Sequence, residues 1–186
     1  MTDKIETLKD SQIMARYNRW ANQRLYDAVA TLGDEELRRN AGAYFGSIHA
    51  TLNHILVGDR IWTSRITGEY HGIESLDQIL HEDFGDLRTA RTAMDEHIVR
   101  LVDRLSVGLD GGLDKEVRYR SVKGGEKHAS PAHHILLTVF NHQTHHRGQI
   151  HCLLTQAGLK EPPPLDVVVF LREMAGQKPL HSIFLI

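Results

Sequence analysis

His142 and His146 stand four residues apart in a line otherwise made of Ile135, Val139, Ile150 and Leu153, each step being three or four positions. That period places all six side chains on one side of an α-helix. The ends carry matching signals: Ser130 is the expected N-cap, Pro131 suits the first helical position, and Gly158 is a natural stop after Ala157. Any fold built from this chain must accommodate two imidazoles, one turn apart, on a face that faces a core. They can be hydrogen-bonded core histidines, or they can share a divalent ion through their neutral ring nitrogens. Unpartnered polar groups are costly in a low-dielectric stripe, and one ion satisfies both rings, so the spacing favours metal. His145 competes for the second position, but it lies with Thr138 and Asn141 off the apolar line. His146 is therefore the better candidate, and His133, His134 and His151 are expected at the surface or its boundary.

The remaining periodic segments are also helical. Ile13, Met14, Tyr17, Trp20, Ala21, Leu25, Ala28, Val29 and Leu32 mark a long amphipathic helix from about Asp10. Gly33 to Arg39 reads as a loop with a short helical turn. Ser47 is the next N-cap, for a helix that runs through Trp62 and Ile66 and stops near Gly68. Its main apolar face is Ile48, Leu52, Ile55, Leu56, Trp62 and Ile66, while His54 falls on a second line with Ala50, Val57 and Ile61. Periodicity does not single out His54 over His49. Gly58, one turn beyond His54, leaves room above the ring for a ligand or for close helix packing.

A short helix near Ser75 to His81 is expected before a third long helix, whose stripe is Phe84, Leu87, Met94, Ile98, Leu101 and Leu105, with His97 at its border. The period then switches to two. Glu116 to Val122 alternates, Lys123-Gly124-Gly125-Glu126 is a turn, and Lys127-His128-Ala129 can pair back, predicting a hairpin over the mouth of a bundle. Pro162-Pro163-Pro164 breaks the chain, and Leu165 to Ala175 offers a final short helix. The fold expected is all-α: a four-helix bundle with a small β-hairpin and a short C-terminal helix, its ligands projecting into the bundle interior.

With 186 residues, one domain spanning 1–186 is the default. A net charge of -2 without a basic, aromatic-interleaved cluster gives no support to nucleic-acid binding. The charged start, Met1-Thr2-Asp3-Lys4-Ile5-Glu6, does not read as a secretory signal, and no apolar run approaches membrane-spanning length, so a soluble cytoplasmic protein is expected. Cys152, the one cysteine, is expected to be a small buried hydrophobe rather than a catalytic thiol. The apolar end Ile183-Phe184-Leu185-Ile186 suggests docking on the core or on a second copy, hence a homodimer.

Three stretches carry a family resemblance over nearly the whole chain. They are Ser47-Ile48 with Leu52-Asn53-His54-Ile55, Asp59 and Trp62; Asn141-His142-Gln143-Thr144-His145-His146-Arg147-Gly148-Gln149; and Pro163-Pro164-Leu165-Asp166. With them the chain resembles the DinB/YfiT-like family of bacterial four-helix metal-binding proteins, which is distinct from the DNA polymerase that shares the DinB name. The resemblance implies a divalent ion, zinc or nickel, held by His54, His142 and His146. It also implies a buried ion pair or an outer hydrogen bond to a ligand imidazole for Asp59, Arg147 and Gln149.

Three neutral histidines leave coordination positions open, as in catalytic rather than closed structural sites. The resemblance extends to transferases that use a low-molecular-weight thiol as cosubstrate on a small-molecule substrate, and to hydrolases. The expected function is a metal-dependent thiol transferase, with a metal-dependent hydrolase or a non-catalytic metal-binding stress-response protein as the alternatives.

Overall fold

In a computed structural model that describes residues 9–69, 72–121 and 125–177, six helices and one hairpin follow in the order α1 (Asp10–Val29), α2 (Asp34–Arg38), α3 (Ile48–Thr67), α4 (Phe84–Ser106), β1 (Glu116–Arg120), β2 (Lys127–Pro131), α5 (Ala132–Gln156) and α6 (Val167–Met174). A 3-10 turn, Leu109–Gly111, joins α4 to the hairpin. The long helices α1, α4, α3 and α5 form a ring in that order, each packed on two neighbours, so α3 and α5 are adjacent. The expected bundle, hairpin and final helix are all present.

Local chemistry explains the helix ends. The Ser47 hydroxyl accepts from the Ala50 N–H at 3.1 Å, which satisfies one of the amides a helix start leaves unpaired. Gly68 closes the same helix in the left-handed region at φ 81°, which costs glycine little because it has no Cβ, and its N–H reaches the Ser64 carbonyl at 2.7 Å. The apolar stripes then meet in one core, where Leu25, Leu52, Leu87, Ile98, Ile135 and Ile150 are buried. Each such side chain stabilises the fold by roughly 1.5–3 kcal/mol relative to leaving it in water.

Three expectations need correction. Ser130 does not cap α5: it pairs with Val117 in the hairpin, and the strand runs straight into the helix with Pro131 at the N-cap. The first helical amides are satisfied instead by main chain from the preceding loop, Ala132 donating to the Lys115 carbonyl and His133 to that of Leu113, both at 2.9 Å. No helix forms between Ser75 and His81; that stretch is a loop with a turn at Leu76 and Asp77, because side-chain hydrogen bonds from α3 hold its backbone in place of an i to i+4 ladder. Cys152 is exposed, on the outward line of α5 with Asn141, His145 and Gly148, since the helix buries only the faces turned toward α1 and α3.

The hairpin pairs in register from Glu116 with Pro131 to Arg120 with Lys127 and packs on α3, the Tyr119 ring meeting Trp62 edge-on at 5.8 Å. Most of its turn, residues 122–124, lies outside the described residues, as does the Ile183 to Ile186 tail that prompted the homodimer expectation. Among the described residues no helix is long and apolar enough to cross a membrane.

Candidate metal centre

Two helices build the site. Residue 54 projects from α3, and residues 142 and 146 project from facing turns of α5. The fold brings all three imidazoles together: each can offer a ring nitrogen, and those atoms lie within 4.8 Å of one another. His54 and His146 are buried and His142 is half-buried. His145, by contrast, is exposed and is not one of the three whose ring nitrogens converge.

Hydrogen bonds to the outer nitrogens set which inner nitrogens are free. Nδ1 of His54 lies 2.7 Å from the Leu76 carbonyl oxygen, which can only accept, so this ring carries its proton on Nδ1 and leaves Nε2 with a lone pair. Nδ1 of His146 likewise donates to Oε1 of Gln149 at 2.7 Å. Nε2 of His54 faces Nε2 of His142 at 3.1 Å. Two nitrogens bound tetrahedrally to one ion at zinc-like bond lengths would be about 3.3 Å apart. The donor set fits a divalent ion, with outer hydrogen bonds of the kind that orient metal-bound histidines. Nδ1 of His142 is buried without a hydrogen-bond partner among the described residues, so no outer group fixes the tautomer of that ring.

Packing fixes the rings. Phe45, in the loop before α3, stacks on His54 with centroids 3.8 Å apart and an angle of 22°. A Cβ built on Gly58 would fall 2.6 Å from Cε1 of His142, so only glycine lets α3 approach that ring. All three rings favour the neutral form that a ligand needs. Burial, ahead of every other cause, lowers the pKa of His54, pushes that of His142 down to about 3 and that of His146 down to about 4, and the crowding of His142 by His146 and His54 adds to its shift.

The loop that supplies Leu76 is held by Asn53, a fully buried side chain. Its Oδ1 accepts from the N–H groups of Leu80 (2.9 Å) and His81 (3.0 Å), and its Nδ2 donates to the carbonyls of His49 (3.1 Å) and His81 (3.2 Å). Asn53 thus positions His54 through the backbone of a distant segment.

Directly behind the site lies a buried polar network that spans all four long helices. Arg91 donates to Asp59 at 2.5 Å and pairs with Asp95 at 2.9 Å; Gln143 donates to Asp59 at 2.8 Å; Asn22 donates to Asp95 at 2.9 Å and to Gln143 at 2.8 Å. Arg147 donates to Gln143 at 2.9 Å and to Asn18 at 2.8 Å. Two arginines and two aspartates balance, and burial pushes the Asp95 carboxyl up to about 6 and that of Asp59 above its usual range despite Arg91. Of the residues singled out with the family stretches, Gln149 touches a ligand imidazole, whereas Asp59 and Arg147 belong to this network. Sequence reading missed Asn18, Asn22, Arg91, Asp95 and Gln143. Their signal was present as polar pairs four apart, Asn18 with Asn22, Arg91 with Asp95 and Gln143 with Arg147, each on a helix that must be buried on more than one side.

A cavity of about 490 Å³ opens from His54 and His142 along α3, past Gly58, Ile61 and Trp62, to Arg65 and the hairpin residues Tyr119 and His128. Trp62 is half-buried, packed against the core on one side and forming the cavity wall on the other. The carboxylates of Glu74 and Asp77 line a separate cavity with Tyr44 and Phe45.

Comparison with known proteins agrees with this architecture. A sequence model described as the DinB family matches residues 1–178. The chain is 28% identical over 151 residues to Protein DinB of Bacillus subtilis (strain 168), an alignment covering 79% of this chain and 86% of that protein. It is similar in fold to a DinB-like protein from Bacillus cereus ATCC 10987 known from a crystal structure, with a TM-score of 0.61 and 21% identity, covering 88% of this chain and 99% of the other.

Proposed function

The chain belongs to the DinB family, and on that premise we propose that it is a divalent-metal enzyme that transfers a low-molecular-weight thiol to a small-molecule acceptor, with His54, His142 and His146 as the metal ligands. One observation carries the reading: two of the three imidazoles whose inner nitrogens converge, His54 and His142, also form one end of a substrate-sized cavity. A structural or sensing site has no need of such an approach.

The protein's own residues do four things here. Leu76 and Gln149 hold two rings in the ligating tautomer, Phe45 and Gly58 fix ring orientation, burial keeps the imidazoles unprotonated, and the cavity brings a small molecule to His54 and His142. A bound divalent ion would supply Lewis acidity, lowering the pKa of a thiol or water that reaches it. Thiol chemistry is favoured over hydrolysis because no carboxylate lines the cavity among the described residues, so the usual base for activating water is not in its wall. Cys152 is exposed on the opposite side of α5 from the core, so the chain's own thiol does not reach the cavity and a thiol nucleophile would come from outside.

Cobalt-substituted protein titrated with bacillithiol, mycothiol, glutathione and simple thiols tests the reading. A sulfur-to-metal charge-transfer band, lacking in His54→Ala protein, is expected. If carboxylate or hydroxide ligands change the spectrum and no thiol does, thiol transfer is excluded and hydrolysis or a non-catalytic role replaces it.

A further inference from the structure

The far end of the histidine cavity is built around one cation. Arg65, in the last turn of α3, lies with its guanidinium carbon 3.9 Å from the Trp62 ring centroid and 4.3 Å from that of Tyr119. The two rings meet at 75°, so one residue of α3 and one of the hairpin together hold the guanidinium in a corner. Its edge carries five N–H donors, and the hydrogen bond found for them among the described residues is a long one, 3.4 Å from Nη2 to the Arg120 carbonyl. No carboxylate pairs with Arg65 there, in contrast to Arg16, Arg24, Arg88, Arg91 and Arg104. Partial burial lowers its pKa, which reflects a cation that has lost water without gaining a counter-charge.

A guanidinium held between two aromatic rings, with donors left over and no carboxylate partner, is suited to recognising a carboxylate bidentately. The wall between the guanidinium and the histidines is apolar, with Ile61, Trp62 and Leu76 along it. The rise of α3 from the level of His54 to that of Trp62, beneath the guanidinium, is about 12 Å. From these relations we infer that Arg65 binds the carboxylate of an elongated small molecule that lies along Ile61 and Trp62, with its other end at His54 and His142. The inference rests on the reading of this cavity as the substrate site and names the class of thiol or acceptor it admits: an anionic one, bearing a carboxylate about 10–12 Å from the reacting end.

The probes are 8-mercaptooctanoate and 8-mercapto-1-octanol on cobalt-loaded protein, followed by absorbance, and octanoate and 1-octanol on zinc-loaded protein, followed by calorimetry. Each acid is expected to bind about tenfold tighter than its alcohol. In Arg65→Gln that preference should vanish through weaker binding of the acid alone, and Arg65→Lys, which keeps the charge and loses the planar fork of donors, should retain part of it. Far-ultraviolet circular dichroism and metal content, both expected to be unchanged, show that the variants are folded and loaded. If the acids keep their advantage in Arg65→Gln, or never have one, the carboxylate site is overturned. If octanoate shows the Arg65-dependent preference while neither thiol produces a sulfur band, the carboxylate site stands and the thiol reading falls.

Discussion

Gly58 and His142 are locked together: a methyl group on residue 58 would sit 2.6 Å from Cε1 and 3.0 Å from Nδ1 of the imidazole, a separation no real Cβ tolerates. The contact is with the end of a side chain that can swing, so relief is available at the expense of the site rather than the fold.

Gly58→Ala is accordingly expected to separate stability from metal binding. Alanine gains about 0.5–1 kcal/mol in a helix interior relative to glycine, set against overpacking of about 1–3 kcal/mol if the ring stays where it is. The ring should move, leaving the unfolding midpoint in urea little changed while metal affinity falls by about 10–100-fold, as for loss of a group that orients a ligand. Gly148→Ala is the control. A Cβ there meets nothing within 4 Å, so stability should rise and metal content should not change. Equal metal affinity in the two variants would refute the role given to Gly58.

Elemental analysis of purified protein should find about one divalent ion per chain. His54→Ala, His142→Ala and His146→Ala should each abolish it, and His145→Ala, which alters an exposed ring, should not. Gln149→Ala should retain the ion with roughly 10–100-fold weaker affinity, because it releases Nδ1 of His146 without removing a ligand. Full metal content in His142→Ala would remove the proposed centre altogether.

Asn53 should matter to both fold and site. Replacing it with alanine strips partners from two amides and two carbonyls, and each group left buried and unsatisfied costs about 1–3 kcal/mol. Amide hydrogen exchange in the segment from Leu76 to His81 is expected to accelerate, and metal affinity to drop as the Leu76 carbonyl leaves His54. Unaltered exchange in that segment would show that the loop is held by other means.

Asp59→Ala should cost about 3–5 kcal/mol of stability, measured by urea unfolding, because it leaves the Arg91 charge buried with Asp95 as its remaining partner. A loss under about 1 kcal/mol would mean that the network relaxes or admits water.

Acid should destabilise the metal-free protein in a defined window. The folded-state pKa values of His142, about 3, and His146, about 4, lie below the ordinary 6.5, so the unfolded chain binds protons that the folded chain refuses. Their contribution is fully present above about pH 6.5 and is lost as pH falls toward those folded values. Asp95 works in the opposite sense: raised from 3.8 to about 6, it adds stability as pH falls across that interval. The difference between wild type and His142→Ala isolates the histidine, and it should shrink in wild type's disfavour from pH 7 to pH 4. A pH-independent difference would contradict the buried, neutral state of the ring.

Most of the fold was legible because amphipathic period and end signals act locally. Ser47 and Gly68 delimit α3 by chemistry confined to a few residues, and the change from a period of 3.6 to one of two marked the hairpin. The same logic misled at Ser130, where hairpin pairing outcompeted a cap, and at Cys152, where a one-position offset from the stripe was enough to reach solvent.

By itself the sequence determined that His142 and His146 share a face of α5, because four residues make one helical turn whatever surrounds the helix. Periodicity left His54 and His49 level and a family resemblance pointed to His54; the tertiary structure supplied the physical reason: both are buried on α3, yet His54 turns toward α5 and beneath Phe45, while His49 lies against Asn53. Only the tertiary structure decided that Leu76 would fix a tautomer from 22 residues away, and that Arg65 would be pinned by Tyr119 of the hairpin. Periodicity fixes the direction a side chain takes from its own helix axis. The partner it meets there depends on how the helices dock and on the paths of the loops, which arise from contacts between residues far apart in the chain.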